Sequence, residues 1–352
     1  MKRIFISLAV LLLAWKGLLP FIQWAIIDAV WRPDPAACRA APGACWGFVA
    51  EKFRFILFGT YPFEEQWRAA LATLALVGLW GMSGFRRCWR PWLPFAWLAG
   101  LALIGVLMWG GVFGLAFVHH ERWGGLTLTL LLTTFGIAFA FPLSILLALG
   151  RRSALPALKA LCVGYIELIR GVPLISLLFM ASVMLPLFLP GGVSIDKLVR
   201  AQVALILFAA AYLAEVVRGG LQAIPKTQYE MADALGLSYA QRTIHVVLPQ
   251  ALRIAVPPLV STFIGFFKDT SLVTIIGLFD LLQAVKVSLA EPAWVGFGAE
   301  GYLFAALVYF AFCFAMSRYA ATLEQRPSAP GSALRAVNPS WSPRSSSSPG
   351  SK

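Results

Sequence analysis

The run LTLTLLLTTFGIAFAFPLSILLAL, residues 126–149, decides the fold class. It carries no charge, is long enough to cross a hydrocarbon core as a helix, and stops at Gly150-Arg151-Arg152. Reading toward the N-terminus, comparable runs occupy 92–118, 69–85 and 4–27. Reading toward the C-terminus, they occupy 172–189, 201–217, an interrupted segment after Arg253, and 297–316. A mildly amphipathic stretch around Lys159, residues 155–166, precedes the 172–189 run. The pattern predicts an all-α polytopic membrane protein of about eight transmembrane helices. A composition of 59% hydrophobic and 13% charged residues excludes a water-soluble globular fold.

The formal charge of +13 invites a nucleic-acid reading, but its placement argues against one. Basic residues gather between apolar runs, at Lys2-Arg3, at Arg86-Arg87 with Arg90, and at Arg151-Arg152, where the positive-inside rule expects cytoplasmic loops. That assignment puts both termini in the cytoplasm and the mixed segment 28–68 outside, with Pro190-Gly191-Gly192 as another outer turn. Lys2-Arg3 followed by apolar residues 4–14 imitates a secretory signal without a convincing cleavage site. We therefore expect an uncleaved first span in which Lys16 snorkels or faces another helix. Residues 326–352 are Ser/Pro-rich and are expected to form a disordered cytoplasmic tail.

Cys38 and Cys45 share the outer segment and either close a small disulfide ring or remain two thiols. His119-His120-Glu121 reads as a polar interfacial turn rather than a metal site, because adjacent side chains diverge and no third ligand lies nearby. No metal is expected elsewhere. Glu167-x-x-Arg170 and Glu215-x-x-Arg218 put an acid and a base on one helix face, serving either to anchor helix ends or to form part of a gate. Lys268-Asp269-Thr270 interrupts the seventh apolar segment. Charges there need a protein or water-lined surrounding, which makes these residues candidates for a translocation path, or equally for a structural ion pair.

One long polar insertion, 222–253, is too polar to cross a membrane. Thr227-Gln228-Tyr229-Glu230 and Ser238-Tyr239-Ala240-Gln241 have capping-box spacing, Gly236 is placed to end the first helix, and Pro249 is expected to stop the second near Leu248. The expected element is helix, glycine turn, helix. It is either a rigid knob suited to docking or an amphipathic loop lying on the membrane.

Within it, Glu230-Met231-Ala232-x-x-x-Gly236, nine residues, and then Val246-x-Leu248-Pro249 resembles the EAA loop of ABC-importer permeases, E-A-A-x3-G-x9-I-x-L-P. Met231 and Val246 are the departures. The stretches ELIRGVPL (167–174), AEVVRGG (214–220) and FKDTSL (267–272) resemble the polar amino-acid branch, which includes histidine, glutamate, glutamine and arginine permeases. The upstream spans resemble the M-type permease subunit of general L-amino-acid importers. The resemblance implies three accessory spans over residues 1–122 and a five-helix type I permease core over 123–325, with 222–253 as its coupling loop. It also implies that Glu230, Ala232, Gly236, Arg242, Val246, Leu248 and Pro249 contact a separate ATPase.

The chain has no G-x-x-x-x-G-K-[ST] loop, so ATP and Mg are expected on a partner ATPase dimer. By the same resemblance, the other partners are a second permease subunit, in a heterodimer, a periplasmic amino-acid-binding protein and membrane lipid, and the site is the bacterial inner membrane. Substrate class stays open between broad L-amino-acid import and a narrow polar amino acid. Two readings of other classes carry less. A membrane enzyme would need converging acids, bases or metal ligands, which the three histidines do not provide. An autonomous ion-coupled transporter would have no use for a docking knob.

Overall fold

The computed structural model describes residue 7 and residues 15–190 and 194–324. The basic residues Lys2-Arg3, residues 8–14, Gly191-Gly192 and the tail 326–352 lie outside them, as does most of the signal-like run. The described chain is helical, with isolated extended pairings at Val30–Cys45 and Gly125–Asp280.

Helix α1, residues 15–22, runs into a π turn at Gln23–Ile27. Segment 28–68, expected to be an outer loop, contains two helices, α2 (Pro35–Ala40) and α3 (Trp46–Phe58). Asp34 starts α2 by accepting hydrogen bonds from the Ala36 and Ala37 backbone N–H groups, and Pro35 supplies a first-turn φ suited to a helix. Next come α4 (Gln66–Gly84) and α5 (Leu93–Trp109), which form an antiparallel hairpin. The Trp97 indole donates to Ser83 Oγ at 2.9 Å near its closed end, and Arg68 Nε donates to the Leu107 carbonyl at 2.7 Å near its open end.

Helix α6 (Gly125–Arg151) is the pivot of the molecule. Its first ten residues, 125–134, are all buried, because it meets a different cluster on each side. Leu126, Leu130 and Leu131 join the cluster of the N-terminal helices, whereas Leu128, Leu132, Ala140 and Ala148 join that of the later helices. Three threonines on this apolar helix satisfy their hydroxyls locally. Thr129, Thr133 and Thr134 each donate to the carbonyl four residues back, at 3.1, 2.8 and 2.7 Å.

Helix α7 (Pro156–Gly171) and the sequence α8 (Leu174–Phe179), a π turn, α9 (Leu185–Phe188) make one apolar pair bent by 102°. The bend sits at Val172, whose extended φ/ψ of −108°/133° is what a residue before proline prefers. Helix α10 (Lys197–Gln222) lies against α6 and α13, and its alanines 209, 210, 211 and 214 are buried there. Close approach is obligatory at Gly220, where an added Cβ would stand 2.4 Å from the Ala251 carbonyl oxygen.

Helices α11 (Lys226–Ala234) and α12 (Tyr239–Gln241) form the knob, and α13 (Leu248–Asp269) returns into the bundle. A 3₁₀ segment (Thr270–Ile276), α14 (Leu281–Leu289) and α15 (Gly298–Glu324) complete the chain. Among described residues, four helices are long and apolar enough to cross a membrane: Gly125–Arg151, Lys197–Gln222, Tyr239–Ile276 and Gly298–Leu323. The bent pair makes a fifth. The interruption expected at Lys268-Asp269-Thr270 is a tightening from α to 3₁₀ rather than a break, and it closes on Gly277 in the left-handed region (φ 72°).

The N-terminal extension is tied to the later helices. Cys45 N–H donates to Glu300 at 2.9 Å, Arg39 donates to the Pro292 and Ala293 carbonyls at 3.0 Å, and the Trp294 indole donates to Glu51 at 3.1 Å. Cys38 and Cys45 are joined as a disulfide, with Cα atoms 5.4 Å apart, next to these contacts.

Candidate functional site

The knob is built by local rules, not all of them those expected. Gly236 adopts φ 73°, its N–H donates to the Asp233 carbonyl at 2.9 Å, and Leu237 N–H donates to the Ala232 carbonyl at 3.2 Å. This pair of bonds closes α11 as a Schellman turn. Ser238 and Gln241 form the reciprocal capping box, with Ser238 N–H donating to Gln241 Oε1 at 2.9 Å. The box expected at Thr227 and Glu230 does not form. Pro225 stands at the N-cap and the helix begins at Lys226, which leaves Thr227 inside the first turn.

Pro249 does not end a helix either. Residues Arg242–Val247 wind as a π turn, so the ladder is already widened where the proline ring and its missing N–H fall, and the chain runs unbroken from Tyr239 to Ile276. The second knob helix and α13 are therefore one continuous helical run.

The knob is clamped internally and to the bundle. Arg242 donates to both carboxylate oxygens of Asp233, and its guanidinium lies 5.7 and 5.6 Å from the ring centroids of Tyr229 and Tyr239. Arg242 thus braces the knob internally through Nη1. Tyr229 Oη accepts from Arg152 Nη1 at 3.1 Å, and Arg152 also donates to the Leu221 carbonyl at 3.2 Å, joining the knob to the ends of α6 and α10. Of the motif residues, Ala232 is buried and Glu230 is exposed. Val246 and Leu248 are half-buried, and Pro249 is exposed. Met231, Leu235, Tyr239 and Ile244 present large apolar surfaces outward, Leu235 being 79% exposed.

Beside the knob lies a charge cluster that the i,i+3 reading only half describes. Glu215 accepts from Arg218 Nε and Nη2 at 2.9 and 2.7 Å, as that spacing allows, but also from Arg151 Nη1 at 2.8 Å, with Arg170 at 3.7 Å. Glu167 turns to Arg151, at 2.9 Å, rather than to Arg170. One carboxylate thus gathers arginines from α6, α7 and its own helix. Arg151, Arg152 and Tyr229 were missed as site residues. The adjacent arginines at the end of α6 were the available signal, and the sequence pattern marks them only as a membrane boundary.

Lys268 and Asp269 lie close enough to attract each other but have different surroundings. Lys268 is exposed, Asp269 lines a cavity between α6, α10 and α13, and buried Thr270 donates to the Phe267 carbonyl at 2.7 Å. His120 donates to Asp196 at 2.7 Å, and its ring lies tilted beside that of His119, with centroids 4.1 Å apart. No group of three or more metal-ligating side chains occurs among the described residues.

Residues 140–329 match the family described as binding-protein-dependent transport system inner membrane component. The chain is 50% identical over 316 residues to the inner membrane amino-acid ABC transporter permease protein YhdY of Escherichia coli (strain K12), covering 89% of this chain and 86% of that one. It is 39% identical over 360 residues to the glutamate/glutamine/aspartate/asparagine transport system permease protein BztC of Rhodobacter capsulatus, covering 86% and 82%. A solved structure, that of an amino acid ABC transporter with histidines, superposes with a TM-score of 0.51 at 30% identity, over 56% of this chain and 90% of that one. The matched segment contains the knob and the arginine cluster, with α7, α10 and the C-terminal part of α6, and the chain belongs to the family of inner membrane components of binding-protein-dependent transport systems.

Proposed function

We propose that this chain is the permease subunit of an ABC importer for L-amino acids, sitting in the bacterial inner membrane with both termini in the cytoplasm. The observation that carries the reading is the rigid two-helix knob, clamped by Arg242–Asp233 and presenting Met231, Leu235, Tyr239 and Ile244 outward from a helix continuous with the bundle. An apolar surface on a polar insertion fits a protein cleft, and the names of the two relatives supply the substrate class. The occupant of the knob is a cytoplasmic ATPase dimer holding ATP and Mg. Its closure would pull on the knob and, through α13 and the Tyr229–Arg152 contact, rock the bundle between inward- and outward-open forms. A second, non-identical permease subunit completes the path, and a periplasmic amino-acid-binding protein feeds it. The disulfide-bearing outer segment faces that oxidising compartment.

The test is co-purification. Leu235→Asp puts a charge at the most exposed apolar position of the knob, away from the clamp. The account expects the ATPase to be lost from the solubilised complex while this chain stays folded in the membrane. Undiminished recovery of the ATPase would remove the knob from the interface.

A further inference from the structure

The turn that closes the α4–α5 hairpin, residues 85–92, reads Phe-Arg-Arg-Cys-Trp-Arg-Pro-Trp, and the whole stretch from Gln66 to His120 contains no aspartate or glutamate. The contacts of α4 fix the side of the bundle on which this turn lies. Thr73 meets Thr127 at 2.7 Å and the Trp80 indole donates to Thr134 at 3.0 Å, both at an offset of 54 residues. Helix α4 therefore runs in the same direction as α6, and its C-terminal end points toward the knob. The same offset sets Gly84 opposite Ala138, well short of Arg151. Gly84 instead lies beside Tyr319 near the end of α15, where an added Cβ would stand 3.9 Å from the ring, and Arg318 is exposed next to it in the sequence. The turn thus sits beside the end of an apolar span, where a bilayer places its headgroups.

Its own hydrogen bonds hold the turn in shape. Cys88 N–H donates to the Phe85 carbonyl at 2.9 Å, Arg90 N–H to the Cys88 carbonyl at 2.8 Å, and the Trp89 indole to the Ser83 carbonyl at 2.8 Å. Arg87 and Arg90 are exposed on it and make no side-chain hydrogen bond or ion pair with the described residues, while Phe85, Trp89 and Trp92 present large apolar faces. The pair Arg151-Arg152 looks alike in sequence but is engaged internally, by Glu167, Glu215, the Leu221 carbonyl and Tyr229. Only the hairpin turn leaves its guanidinium groups without an acid.

Uncompensated guanidinium groups beside indole rings at a membrane boundary match a phosphodiester above acyl chains. The planar fork takes phosphate oxygens, and the rings lie at the level of the headgroups. We propose that the α4–α5 turn, with Arg318, is a docking site for an anionic phospholipid in the leaflet on the knob side. Net charge selects the lipid. A zwitterionic headgroup brings its own ammonium, whereas diphosphatidylglycerol supplies two phosphates to cations spread over the turn and the end of α15. This site goes beyond the permease reading, because it depends on no property of the transported solute.

The test titrates the full chain, purified in detergent, with diphosphatidylglycerol or phosphatidylethanolamine and counts retained lipids by native mass spectrometry. The wild type is expected to hold diphosphatidylglycerol and to release phosphatidylethanolamine. The double substitution Arg87→Gln with Arg90→Gln is expected to weaken diphosphatidylglycerol about 30-fold, from about fivefold for each arginine facing an anionic lipid. Arg87→Lys with Arg90→Lys keeps the charge and is expected to keep most of the binding. Lys159→Gln with Lys226→Gln removes the same charge from exposed positions elsewhere on this side and is expected to leave binding unchanged. An equal loss in that control or in the lysine variant overturns the assignment, as does equal retention of the two lipids by the wild type. Displacement of diphosphatidylglycerol by millimolar inorganic phosphate would give the turn to a soluble anion and overturn it as well.

Discussion

Neutralising Glu215 is expected to destabilise the bundle far more than neutralising Glu167, although both are acids of an i,i+3 pair with arginine. The Glu215 side chain is 15% exposed and accepts three hydrogen bonds from two arginines, with a third arginine at 3.7 Å. The Glu167 side chain is 55% exposed and makes one such bond. A hydrogen bond to a charged group contributes about 1.5–3 kcal/mol, and one acceptor oxygen survives in Glu215→Gln. The arginines are themselves partly solvated, so screening cuts what remains to roughly 2 kcal/mol for the substitution as a whole. For Glu167→Gln the exposed-pair value applies, below about 0.5 kcal/mol. In a core of about 200 residues that difference separates the melting temperatures by about 3–6 °C. Thermal unfolding of the two variants in lipid nanodiscs reads it, and a double-mutant cycle with Arg218→Ala isolates the pair. Equal shifts in the two variants would refute the view that Glu215 holds three helices together.

Two further outcomes concern the Cys38–Cys45 disulfide and the Asp196–His120 pair. Cys38→Ser opens a ring of sequence separation 7 that positions Cys45 N–H against Glu300, and is expected to cost about 2–3 kcal/mol, seen as a lower unfolding temperature that reductant reproduces in the wild type. At Asp196 burial pushes the carboxyl upward, but the hydrogen bond from His120 and those from the Val199 and Leu198 backbone outweigh it, so the group titrates below its ordinary value. A depressed carboxyl contributes stability that is present above its unfolded value and lost as pH falls through the folded one. Unfolding followed from about pH 6 to about pH 3 should therefore show an acid-side loss that is smaller in His120→Ala. An identical slope in both would show that the pair carries no linkage.

What could be read from the sequence divides by the range of the interactions involved. The apolar run of α6, the Gly236 turn and the Ser238–Gln241 box are decided within a few residues, and each stands where the pattern puts it. Thr227 fails because Pro225, two residues earlier, starts the helix, and Pro249 fails because a π turn absorbs what proline removes. Both are contests between neighbouring signals that composition does not rank. Glu167 was paired by spacing with Arg170, whereas the fold offers Arg151 from another helix. Helices α2, α3 and α14 were passed over because a search for long apolar runs discards short helices. Asp34 and Asp280, each capping the helix that follows, were the signals available. The cavity around Asp269 needs α6, α10 and α13 in register, which no local pattern announces.

The most direct test of the account is ATP-dependent uptake of a radiolabelled amino-acid panel into proteoliposomes holding this chain, its partner permease, the ATPase and the binding protein, beside a Glu230→Ala complex. Glu230 is exposed on the knob and makes no side-chain hydrogen bond or ion pair with the described residues. The account predicts broad, ATP-dependent uptake by the wild type that collapses in Glu230→Ala. Uptake by this chain alone without ATP, or uptake untouched by the substitution, would contradict it.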